Sequence, residues 1–321
     1  MSRPLLLLLL LLAALAFAAP APPADAAGAD GATLHRIAVG MPDPSVWSVD
    51  GTHFQLFGSG PLVTTATAGP DGTCCRTTAL SRTPAWADAS KWIWAPTVFP
   101  YTQQKKGTAV FALYFSAVDA DTGQRCLGTA KAKALAGPYV PTAAEWCPSD
   151  ANLEAIDPTM VEANGQRYIV FKTSNHNQAP FQILALPMAN ALDFGAGSPL
   201  VVKQGSHRME NPTFFTHEGQ WWMLLSRSDY TTCKYSTDAF SSAGFPKGFR
   251  KRKRLASQSL TKNAQGTNGK GLCGPGGATT IGDVFIVLHA YTAAQGPGEG
   301  KPRDAWAGLL AWDSAGLPYI D

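Results

Sequence analysis

Three carboxylates along this chain stand beside prolines, in the steps Asp43-Pro44, Asp157-Pro158 and Glu210-Asn211-Pro212. Cleavage of a glycosidic bond needs two carboxyl groups in different protonation states. One activates water or attacks carbon, and the other protonates the departing oxygen. A third nearby carboxylate keeps the acid protonated by like-charge repulsion and orients it. A single Asp-Pro step is more often only the start of a turn. Here the three steps fall at one phase of a longer repeat, which favours a cluster. The aspartates are expected to be extended, because a proline ring disfavours the helical region for the residue before it. That restriction fixes the direction of the side chain.

The repeat is carried by five residue–proline steps, each leading into a run of large apolar residues. Besides the three above they are Ala95-Pro96-Thr97-Val98 and Gly274-Pro275-Gly276-Gly277. The five prolines are 52 to 63 residues apart. A recurrence of that length marks a radial array of small antiparallel sheets. Each step is followed by a turn pair and a β-prone run. Examples are Asp50-Gly51 before His53–Phe57, Asn164-Gly165 before Arg167–Phe171, Glu218-Gly219 before Gln220–Leu225 and Gly282-Asp283 before Val284–Leu288. Lys106-Gly107 before Val110–Phe115 is looser. Such pairs between apolar runs are hairpin signals. Helical periodicity is nearly absent, so the pattern predicts a single all-β domain, a five-bladed β-propeller. A two-sheet sandwich would turn at shorter intervals. In a propeller, equivalent positions of distant repeats meet at one axis, so Asp43, Asp157 and Glu210 are expected to share one central pocket.

Arg3, the apolar run Leu5–Leu12 and the Ala24-Asp25-Ala26 step read as a secretory signal peptide over residues 1–26, with the propeller over 27–321. Charged residues are 15% and the formal net charge is +3, which calls for neither nucleic acid nor a membrane surface as partner. Glycine (31) and proline (24) suit many tight turns. Six cysteines in an exported chain read as disulfides, with fifteen possible connectivities. Cys126 and Cys147 flank a plausible hairpin and Cys233 and Cys273 sit one repeat apart. By elimination, Cys74 would then join Cys75. No paired Cys or His spacing suggests a metal, and no cofactor is expected.

With those motifs in view, the chain resembles glycoside hydrolase family 43. The resemblance rests on Pro42-Asp43-Pro44-Ser45, Trp94-Ala95-Pro96, Ile156-Asp157-Pro158-Thr159, Glu210-Asn211-Pro212 and Leu288-His289-Ala290, in that order across nearly the whole chain. It implies an inverting enzyme on a five-bladed propeller, acting on α-L-arabinofuranosyl or β-D-xylosyl linkages of plant polysaccharides. Carried over, Asp43 resembles the general base, Asp157 the modulating and orienting group, and Glu210 the general acid. Two positions depart from the family pattern. Asn211 stands where Ala or Gly is common, and Gly277 stands where a His helps hold a metal or water in related arabinan-cleaving enzymes. The alternative from another class is a non-catalytic propeller that binds a glycan.

Trp94 is a candidate for stacking on a sugar ring, with Trp92 beside it as blade packing. His289 is a candidate substrate-binding residue on the pocket floor, with a buried His bonded to backbone as the equal alternative. Trp221 and Trp222 alternate on one strand and read as structural. The densest charge, Lys247 with Arg250 to Arg254, reads as a solvated loop with the capacity to rest against anionic polysaccharide. A secreted, extracellular monomer is expected.

Overall fold

The computed structural model describes residues 32–69, 72–102, 109–292 and 296–321. The expected signal peptide and the Lys106-Gly107 turn lie outside the described residues. After β1 (His35–Ala38) the chain builds four consecutive four-stranded antiparallel sheets. Blade I holds β2 (Ser45–Ser48), β3 (Phe54–Gly58), β4 (Thr64–Gly69) and β5 (Gly72–Thr78). Blade II holds β6 (Trp94–Thr102), β7 (Ala109–Val118), β8 (Arg125–Ala132) and β9 (Val140–Trp146). Blade III holds β10 (Glu154–Ala163), β11 (Gln166–Asn175), β12 (Gln178–Pro187) and β13 (Leu200–Gly205). Blade IV holds β14 (Met209–His217), β15 (Gln220–Arg227), β16 (Ser236–Ser242) and β17 (Arg250–Ala256).

Blade V is completed from both ends of the chain. It runs β18 (Cys273–Ile281), β19 (Phe285–Tyr291) and β20 (Asp304–Trp312), and β1 then pairs with β20 as its outer strand. The short β21 (Pro318–Ile320) pairs with the rest of β20, from Leu310 to Trp312. The N-terminal strand thus closes the ring through backbone hydrogen bonds, a role its four residues do not announce in sequence.

The apolar runs are continuous rather than alternating because each second strand is covered on both faces. On β7, Leu113 and Phe115 pack toward blade I, while Ala112 and Tyr114 pack toward blade III. On β15, Met223 and Leu225 face blade III and Trp222 and Leu224 face blade V. On β19, Ile286 and Leu288 face blade IV and Val287 faces blade I. Period-two alternation therefore distributes each run over two interfaces. Five core clusters result, one between each pair of neighbouring blades. At about 1.5–3 kcal/mol per large side chain buried, these seams hold the blades at fixed angles around the axis.

Cys126–Cys147 and Cys233–Cys273 are bonded. Cys74 and Cys75 are not, although their sulfurs lie 2.6 Å apart on exposed β5. The pairing reached by elimination is therefore not formed.

Candidate active site

The five innermost strands converge on the axis at the end where they begin. There the chain carries Asp43, Ala95, Asp157, Asn211 and Gly277, with φ of 51°, 45°, 58°, 51° and 59°. The aspartates are therefore left-handed rather than extended. In blades II to V the ladder explains the left-handed residue, because register breaks at the same place in β6, β10, β14 and β18. A bulge with one left-handed residue bends the strand and turns that residue inward. It also removes an N–H from the ladder, and side chains satisfy the freed groups. The N–H of Asp43 donates to His289 Nδ1 (2.8 Å), that of Ala95 to Ser59 Oγ (2.9 Å), that of Asn211 to Asp157 Oδ2 (2.9 Å) and that of Gly277 to Ser226 Oγ (2.8 Å).

Two residues further on, threonines stitch neighbouring blades together. Thr97 donates to the Pro158 carbonyl, Thr213 to that of Ala278 and Thr279 to that of Pro44 (2.8, 2.8 and 3.0 Å). This phase makes Gly277-Ala278-Thr279 the fifth equivalent of Asp43-Pro44-Ser45. The Gly274-Pro275 step lies three residues upstream of it, so the sequence-based alignment of the fifth repeat is corrected. Inside the ring is a recess of about 10 Å³, lined by Asp43, Ala95, Asp157 and Asn211 among others, with room for about one water.

The three carboxylates meet at this end of the axis, two on the ring and Glu210 one residue before it. Asp43 is the cation-flanked one. Ser59 Oγ donates to its Oδ2 (2.6 Å), and Arg303 Nη1 approaches Oδ1 (3.3 Å). Its side chain keeps 19% of its surface open. Burial alone would raise its pKa, but Arg303, with help from Ser59, brings it below the ordinary aspartate value.

Asp157 sits in the opposite environment. Burial first, and the Glu210 carboxylate second, push it up to about 8 against the pull of Lys172. Glu210 is 8% exposed, accepts from Tyr235 Oη at Oε1 (2.8 Å) and faces Lys172 Nζ at Oε2 (3.3 Å). Lys172, fully buried, also meets Glu154 Oε1 (3.3 Å) and Asn177 Oδ1 (2.6 Å). Burial would lower the lysine's pKa, yet Glu210, Glu154 and Asp157 together raise it, so it stays charged.

Two further predicted residues fall differently. Trp94 opens β6 and remains 37% exposed, with the Arg125 guanidinium 3.2 Å over one ring face. Arg125 is itself missing a partner at Nη1. His289 is fully buried, stacks on Tyr235 and has Arg303 Nη1 2.9 Å from Nε2. Both its nitrogens are engaged, so it positions Asp43 instead of lining the floor. Burial, then Arg303, push its pKa down to about 3, against the pull of Asp43.

Sequence reasoning missed Ser59, Arg125, Lys172, Tyr235 and Arg303, none of which lies in a proline step. Lys172 alone carried a signal, as a lysine within the apolar run of β11. A metal does not fit the axis. A side chain at Gly277 would meet His289 Cε1 at 2.5 Å, so the imidazole of β19 occupies that space, and its Nδ1 lone pair already accepts from the Asp43 N–H while Nε2 lies against Arg303.

Solved structures share this architecture. A thermostable family-43 glycoside hydrolase is 21% identical, with 88% of this chain and 93% of that one covered and a TM-score of 0.71. The Cellvibrio cellulosa α-L-arabinanase complexed with arabinohexaose is 19% identical (88% and 96% covered, TM-score 0.67). The Lactobacillus brevis α-L-arabinofuranosidase is 18% identical (88% and 94% covered, TM-score 0.67). No curated protein matches the chain by sequence. The profile of Glycosyl hydrolases family 43 matches residues 40–318, so a chain whose axis gathers three carboxylates from three blades belongs to that family.

Proposed function

We propose that this protein is a secreted, inverting glycoside hydrolase that removes α-L-arabinofuranosyl or β-D-xylosyl units from plant cell-wall polysaccharides and their oligosaccharides. The observation that carries the reading is the opposite treatment of Asp43 and Asp157 within one ring. Asp43, held ionised beside Arg303, takes a proton from water as the water oxygen bonds to the anomeric carbon. The bond to the departing oxygen breaks, and Glu210 gives that oxygen a proton. Attack from the face opposite the leaving group inverts the anomeric centre.

Asp157, kept protonated by burial and then by the Glu210 carboxylate, is the modulating neighbour of the acid. Through the Asn211 N–H it also holds the backbone that carries Glu210. Lys172 and Tyr235 fix the Glu210 carboxyl from the far side. Export is supported by the apolar leader and by two disulfides. Arabinosyl substrates are the first to try, because two of the similar structures bear arabinan-related names.

The test is a panel of aryl arabinofuranosides and xylosides beside debranched arabinan and xylan, with the first-formed anomer read by proton NMR. Release of pentose with inverted configuration is expected. A retained anomer overturns the inverting mechanism, and no release from any substrate overturns the hydrolase.

A further inference from the structure

The basic run singled out in sequence forms β17, the outer strand of blade IV, and some of its cations are matched. Asp238 on β16 is 1% exposed and accepts from Lys251 Nζ (2.6 Å) and Arg254 Nε (2.9 Å). Lys253 Nζ lies 4.0 Å from Asp313 Oδ2. Unmatched charge collects instead just past the end of the strand. There the chain after Ala256 forms a depression of about 610 Å³ with the β15–β16 loop. Lys234, Lys262 and Lys270 line it together with Arg254, Ser257 and Gln258. All three lysines are exposed, and among the described residues none has a carboxylate within ion-pair reach.

The register of blade IV places this depression on the catalytic face. Met209 pairs with Arg227, Arg227 with Ser236 and Thr237 with Ala256, so Glu210 and Ser257 lie at the same end of the sheet. Three strand spacings separate β14 from β17, about 14 Å. The wall is rigidly held. The Cys233–Cys273 bond ties the β15–β16 loop to blade V. Buried Thr261 donates to the Ser257 carbonyl and accepts from the Leu272 N–H (both 2.9 Å). Thr267 donates to the carbonyl of Lys262 (2.7 Å).

Ammonium groups held without counter-charge, with hydroxyl and amide groups between them, suit a carboxylate on a hydroxyl-rich ring. We infer that this depression is a distal subsite for an acidic sugar, a uronate residue of the same polymer whose neutral pentose is cut at the axis. The inference rests on the polysaccharide reading above, and it is tested by binding, which needs no turnover.

The probe is polygalacturonate, with its methyl ester and a sulfated galactan beside it, in affinity electrophoresis of the full chain. Wild-type protein is retarded by polygalacturonate, less so at high salt, and not by the ester. The triple variant Lys234→Ser, Lys262→Ser, Lys270→Ser loses about tenfold in affinity, the sum of three exposed ion pairs. A control with the same charge change elsewhere, Lys91→Ser, Lys131→Ser, Lys133→Ser, binds as wild type. Circular dichroism establishes that each variant is folded. The subsite is overturned by absent retardation, by equal retardation in the ester, by tighter retention on the sulfated polymer, or by equal loss in the control. If the pentoside panel fails while polygalacturonate still binds, the hydrolase reading falls and the subsite stands.

Discussion

Asp43 and Asp157 occupy equivalent positions in blades I and III. Each precedes a proline, each is left-handed (φ 51° and 58°), and each turns toward the same axis. Their chemistry is nonetheless opposite. Blade V presents Arg303 and His289 to Asp43, whereas blade IV presents Glu210 to Asp157. Arg303 pulls one carboxyl toward ionisation against its burial, while burial and then Glu210 push the other toward protonation, and both partners are remote in sequence. A shared motif sets where a side chain stands, and the neighbouring blade sets what it does. Pairs of titratable groups driven apart in this way mark the base and acid sides of a site.

The sharpest break in that comparison is to remove each side separately. Glu210→Gln should lower hydrolysis of arabinan or xylan by about 10²–10⁴-fold. It should recover much of that on aryl pentosides, whose leaving groups need no proton. Asp43→Asn should lose a similar factor on both substrates, because attack by water is impaired whatever departs. Initial rates on paired substrates check this, and equal losses for Glu210→Gln on both would remove it as the acid.

Next in size is Lys172→Met. The substitution leaves Glu154 and Glu210 buried without their cation, and breaking a buried ionic cluster costs about 3–5 kcal/mol. Denaturant unfolding measures the loss. A change below about 1 kcal/mol would show that the lysine is dispensable to the fold.

Much of this was legible from residue order alone. The proline steps located four of the five ring positions, and Asn164-Gly165 and Glu218-Gly219 marked hairpins that are present as β10–β11 and β14–β15. The fifth ring position was misplaced because Gly277-Ala278 has no proline, and Pro275 lies nearby. The groups that separate the two aspartates were invisible for a topological reason. Arg303 is 260 residues from Asp43, in a segment with no motif, and Ser59 is a lone serine after a strand. The Lys172 signal, a charge inside an apolar strand, was readable as a buried ion pair but named no partner. Closure by β1 was hidden too, since outer strands are short and carry no two-sided apolar pattern.

A third prediction concerns stability, and its sign follows from the raised Asp157 pKa. The folded state favours the protonated form, so that contribution is complete below the unfolded value near 3.8 and fades as pH rises toward about 8. Asn imitates the protonated carboxyl and can still accept from the Asn211 N–H. Asp157→Asn should therefore match wild type near pH 4 and gain on it as pH rises. The limiting slope is about 1.4 kcal/mol per pH unit. Parallel melts at several pH values test this, and parallel curves would place the resting proton elsewhere.

The smallest effect is expected at Arg303. Hydrolysis needs Asp43 ionised, and the arginine is what outweighs burial there. Arg303→Gln keeps a polar group beside the carboxyl but removes the charge, so the acidic limb of kcat/KM should move to higher pH by about one unit, the low end for a neighbouring opposite charge. The basic limb, which does not report on Asp43, should stay in place. A merely structural arginine would lower the whole profile without moving its acidic limb. That displacement therefore decides whether blade V tunes the base or only braces it.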